Sequence, residues 1–113
     1  MRKRTVAREH ALKILYQVEV KKEALNDLMK QYWEDNPSED EVIAFADKLV
    51  RGTIANLEAL DATIVRHTDN WDLSRMAIID RNILRFGAYE MLYLEDVPPK
   101  VTINEAVNIA KKY

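Results

Sequence analysis

The sequence contains no cysteine, which excludes disulfides and thiolate zinc sites and fits a reducing compartment. It has two glycines, too few for a phosphate loop of the Walker or Rossmann kind. No apolar run approaches the roughly 18 residues a membrane-spanning helix needs. No short apolar segment with a cleavage site follows the start, so a cytoplasmic protein is expected. The two histidines, His10 and His67, have no second histidine or acid at ligand spacing, so neither a metal nor a cofactor is expected. No serine sits in a GxSxG setting. Strand-like alternation of useful length is also missing. These absences leave an all-α, non-enzymatic protein as the expectation.

What is present is helical periodicity. The chain has 113 residues and is 48% apolar, so a single domain over residues 1–113 is expected, large enough to bury a core. Net charge is −2, but it is unevenly spread: residues 1–22 carry seven bases and two acids, whereas residues 23–72 carry four bases and twelve acids. A cationic leading segment can attract phosphate whatever the net charge of the whole.

Residues 71–94 are expected to organise the chain. Asp72 is placed to cap a helix, with Leu73, Ser74 and Arg75 in its first turn. Projected at 100° per residue, Ile79, Ile83, Leu84, Phe86, Tyr89, Met91, Leu92 and Leu94 spread round nearly the whole circumference, which predicts a central, buried rod. Gly87 would let another helix come close. Asp80, Glu90 and Glu105 could serve acid–base chemistry, but with Arg75, Arg81 and Arg85 alongside they read better as partners of arginines.

The other elements follow the same logic. Arg2, Lys3 and Arg4 form a basic arm before a helix over 5–21, with Ala7, Ala11, Ile14, Leu15 and Val18 inward. Arg4 and Arg8 lie four apart at its start, where the helix dipole prefers acids; a phosphate-contacting patch would justify that cost. A short helix is expected over 26–33. An acidic, proline-bearing loop leads to Ser38, whose spacing to Glu41 is that of a capping box. An unbroken helix of about 28 residues, about 40 Å long, should then reach His67. After Pro98 and Pro99, Thr102 and Glu105 have the spacing of a second capping box, with Ile103, Ala106, Val107 and Ala110 as the inner face of a last helix. The total is five to six helices.

Three blocks carry a resemblance over nearly the whole chain. They are the arginine-rich start running into AREHALKILYQ, then FADKLVRGTIANLEALDATI, then WDLSRMAIIDRNILRFGAYEMLYLEDVPPKVTINEAVNIAKKY. Together they resemble the NusB family of bacterial transcription antitermination factors. The resemblance implies a compact helical bundle. It also implies binding of the boxA RNA of rRNA operon leaders together with the small-subunit ribosomal protein NusE, within the RNA polymerase antitermination complex that promotes read-through. By position it implies RNA contacts from Arg2, Lys3, Arg4 and Arg8, with His67 as a weaker match, and a NusE-facing region at Arg75, Asp80 and Arg81. Val6 and Thr5 stand where some members carry more arginine. Family chains continue past AKKY into a further helix, so this sequence reads as a form shortened at Tyr113. Uncovered apolar area, and with it self-association or lowered stability, is expected in consequence. Two other readings remain. One is the NusB-like N-terminal substrate-binding domain of an rRNA cytosine methyltransferase, and the other is a helical adaptor with no RNA role.

Overall fold

In the computed structural model, residues 2–67, 73–94 and 96–113 are described, apart from the side chains of 67, 103 and 107. The described residues form six α-helices and one short 3-10 turn: α1 (Arg2–Lys21), α2 (Leu25–Asp35), α3 (Asp40–Ala55), α4 (Leu57–His67), the turn Leu73–Arg75, α5 (Ile78–Tyr93) and α6 (Pro99–Lys112). The chain divides into two compact units, Met1–Val50 and Arg51–Tyr113, with α3 running across the division.

In the first unit α1 packs against α2. The basic arm is part of α1 rather than a tail before it. Of the expected inward stripe, Ala7, Ala11, Ile14 and Leu15 are buried and Val18 is half-buried, and Tyr16 is exposed. α1 ends at Lys21, and Lys22 takes a left-handed φ of 55°, the backbone sign that closes many helices and that glycine would adopt with less strain. Leu28, Met29 and Tyr32 are the buried face of α2. A small cluster of Ala7, Val42 and Ala46, flanked by Val6, Trp33 and Phe45, joins α1, α2 and the first turns of α3. The first helical hydrogen bond of α3 runs from Ile43 N–H to the carbonyl of Glu39, so Glu39 rather than Ser38 stands at the cap position.

The helix expected to run unbroken to His67 is interrupted at Asn56. The interruption is one residue long: the Gly52 carbonyl accepts both the Asn56 backbone N–H at 3.1 Å and its side-chain Nδ2 at 2.8 Å, and the Asn56 carbonyl accepts Leu60 N–H at 2.9 Å, so the backbone ladder carries on across it.

In the second unit α5 packs against α4 and α6. Residues 73–77 are a 3-10 turn and link rather than the first turns of the helix, and α5 begins at Ile78. The capping role expected of Asp72 lies outside the described residues. α5 is not wrapped on all sides: Asn82, Ile83, Phe86, Gly87 and Glu90 are buried, while Met91, Leu92 and Tyr93 are exposed at 45%, 56% and 47%. The close approach expected at Gly87 occurs instead at Gly52, against the ring of Tyr89; a Cβ at Gly87 would meet nothing within 4 Å. α6 starts at Pro99, three residues before the expected cap, because proline suits the first helical position. Thr102 therefore lies inside the helix, buried, where its hydroxyl donates to the fully buried Glu90 Oε1 at 3.4 Å. Thr102 and Ile109 mark the inner face of α6, and Ala110 is exposed.

Candidate nucleic-acid interface

The N-terminal turns of α1 and the face of α3 carrying Glu41, Ala44, Phe45 and Lys48 line an open cleft of about 370 Å³, with Lys3 and Arg4 on the α1 side. On α3 these positions recur at three and four residues, so one face of the helix supplies them all. Phe45 is half-buried against the Ala7–Val42–Ala46 cluster, which fixes its ring. The Arg4 guanidinium lies over that ring, 4.6 Å from its centroid, and the Arg8 guanidinium is 5.5 Å from it. A planar cation on an aromatic face is attracted by the ring quadrupole and loses rotamer freedom.

The four cations expected to contact RNA thus play different parts. Arg2 and Lys3 are exposed and Arg4 is half-buried. Arg8 is only 1% exposed, so it is not the surface charge that its spacing from Arg4 suggests. Its place is beneath the arm, supporting Phe45. Lys3 reaches two carboxylates, Glu39 at 3.0 Å and Glu41 at 3.2 Å. Its hydrogen bond to Glu39 and then that to Glu41 push the Lys3 ammonium above its ordinary value. Lys48 is exposed, with no hydrogen bond or ion pair to any described residue. Neither Phe45 nor Lys48 stood out in the sequence as a site residue. Phe45 reads there as core, and a lone lysine on a long helix gives no signal until the arm is known to lie beside it.

The proposed partner-facing region lies in the second unit. Arg75 ends the 3-10 turn and is exposed, and Asp80 is exposed in the first turn of α5. There a carboxylate also complements the helix dipole. Arg81 is half-buried, and its Nη1 donates to the carbonyls of Leu73 at 3.0 Å and Met76 at 3.2 Å. Those bonds clip the 3-10 turn to the start of α5, so Arg81 is an organiser of this corner. Arg85 holds Asp61 of α4 through Nε at 2.8 Å and Nη2 at 2.9 Å, a two-pronged contact. His67 is the last residue of α4, and its side chain is outside the described set.

Among the described residues no three histidine, cysteine or acidic side chains are grouped as a metal site. No described helix is long and apolar enough to cross a membrane. A small all-α protein with a basic helical face backed by an aromatic ring belongs to the class that binds through helix surfaces. The NusB family model matches residues 5–113, and the chain belongs to the NusB family.

Curated relatives agree. The chain is 47% identical over 107 residues to the transcription antitermination protein NusB of Chloroherpeton thalassium, covering 94% of this chain and 51% of the relative. It is 42% identical to that of Thermodesulfovibrio yellowstonii, covering 98% of this chain and 80% of the relative. The chain thus spans about half the length of the first relative and four-fifths of the second. Among solved structures, NusB of T. maritima matches with a TM-score of 0.87 at 34% identity, over 97% of this chain and 78% of that one. A crystal structure of antitermination factors NusB and NusE in complex with double-stranded RNA matches with a TM-score of 0.88 at 30% identity, over 100% of this chain and 84% of that one.

Proposed function

We propose that this protein is a transcription antitermination factor that binds boxA RNA of rRNA operon leaders together with the ribosomal protein NusE, as a cytoplasmic, non-catalytic component of the RNA polymerase complex. The observation that carries the reading is the match, over the whole chain, to a NusB structure determined with NusE and RNA. The exposed basic start of α1 supplies a surface of the right charge. RNA is contacted by Arg2, Lys3 and Arg4, with Arg8 acting through Phe45, and NusE by the corner holding Arg75 and Asp80. Relatives named as antitermination proteins favour this reading over that of a methyltransferase domain.

The test is a titration of labelled single-stranded boxA RNA with and without NusE. Wild-type protein is expected to bind, more tightly when NusE is present. Arg4→Ala should weaken binding and reduce the slope of log affinity against log salt by about 0.7, the value of one phosphate contact on a single strand. Wild-type protein that leaves the RNA free in both arms would exclude the function.

A further inference from the structure

We propose that the α1–α3 cleft seats one RNA phosphate between Arg4 and Lys48, and that Glu39 and Glu41 hold Lys3 as internal stand-ins which that phosphate displaces. The inference rests on the RNA-binding reading and adds to it a second helix, a named seat and a competition.

Three observations converge. Arg4 lies over Phe45 within the cleft, so its planar fork is restrained before any ligand arrives. Lys48, on the other wall, is an exposed cation with no described partner. Lys3, at the rim, already spans two carboxylate oxygens at 3.0 and 3.2 Å. Two carboxylates on one ammonium present it with the oxygen ligands a phosphodiester would offer. Exposed ion pairs of this kind contribute little to stability, so they exchange readily. An arriving phosphate gains Lys48 outright and meets Arg4 where it lies over Phe45. Its contact with Lys3 comes only at the expense of the carboxylates, whose negative charge also opposes polyanions that cannot reach the seat.

The stabilising role of Glu39 and Glu41 at the start of α3 is the competing explanation for their presence, since acids complement that end of a helix. A thermodynamic cycle separates the two. The probe is a labelled single-stranded boxA RNA, titrated in the presence of NusE at several salt concentrations. Lys48→Ala is expected to lower affinity about fivefold and reduce the salt slope by about 0.7. Lys3→Ala should change affinity less than about twofold in the wild-type background but lower it about fivefold in the Glu39→Gln/Glu41→Gln background. That background should itself bind more tightly than wild type, and more tightly than a Glu23→Gln/Asp27→Asn control carrying the same change in charge. Circular dichroism confirms that each variant is folded.

If Lys48→Ala binds as wild type does, or if Lys3→Ala has the same effect in both backgrounds, the proposal is overturned while the RNA-binding function stands. If wild-type protein fails to bind the RNA, both are overturned.

Discussion

At the residue scale, His10 shows how burial writes a pH dependence into a helix pair. Its Nδ1 lies 2.6 Å from the Tyr32 hydroxyl, and its ring meets those of Tyr32 and Trp33 edge to face, with centroids 5.6 and 5.0 Å away. Desolvation, with Lys13 adding to it and Glu9 opposing it, holds the imidazole below its ordinary value of 6.5. The folded state therefore favours neutral His10 more than the unfolded chain does. Its contribution is fully present above the unfolded value near 6.5 and is lost as pH falls through the lower folded value. The melting temperature should drop between neutral and mildly acidic pH, with Trp33 fluorescence changing over the same interval. His10→Gln, which cannot charge, should flatten that part of the profile. A His10→Gln profile that superimposes on wild type would place the titrating group elsewhere.

At the scale of elements, the two glycines have opposite meanings that the sequence cannot distinguish. Both sit inside helices, where alanine is the better helix former by about 1 kcal/mol. Gly87 has room for a methyl group, so Gly87→Ala should stabilise by up to about 1 kcal/mol in chemical denaturation. At Gly52 a Cβ would intrude on the Tyr89 ring, which is itself stacked on Tyr93 with centroids 5.3 Å apart. Moving that ring should cost about 1–3 kcal/mol and outweigh the propensity gain. With Tyr89→Ala in place the same substitution should become stabilising, and that change of sign identifies the contact.

This pair also shows where periodicity stops informing. It located the helical segments among the described residues, with α3 and α4 taken as one, because a buried stripe at three- and four-residue spacing is a property of one segment alone. It placed most of the buried stripe of α1 for the same reason. It missed the one-residue interruption at Asn56, and it made α5 too central, because burial depends on what packs beside a helix. In the candidate site, Arg4 and the arm were legible as charge. The burial of Arg8, the role of Phe45 and the freedom of Lys48 depend on a second helix lying alongside, which no local pattern encodes.

At the scale of the whole molecule, net charge is −2, and the cations proposed for RNA are gathered at the start of α1 and on α3, where Lys3 is already paired with acids. Apart from His67, whose side chain is outside the described residues, the residues proposed for RNA lie within 2–48, on α1 and α3, and the proposed NusE corner holds Arg75 and Asp80. Separate residue sets allow binding of either partner to be weakened alone. Asp80→Lys should weaken NusE binding about tenfold, through charge reversal at a contact, while RNA binding measured without NusE stays within about twofold of wild type. It should also cost roughly 0.5 kcal/mol of stability, because an acid in the first turn of α5 is replaced by a base. If NusE tightens RNA binding by some factor, RNA must tighten NusE binding by the same factor, since the two are one coupling free energy. Calorimetric titrations of NusE into the protein, with and without RNA, measure that factor from one side, and RNA titrations with and without NusE measure it from the other. Equal factors in wild type, with Asp80→Lys lowering NusE affinity alone, are the expected result. A loss of RNA affinity in Asp80→Lys without NusE would mean that the α5 corner also contacts the nucleic acid, and the assignment of separate residue sets would fail.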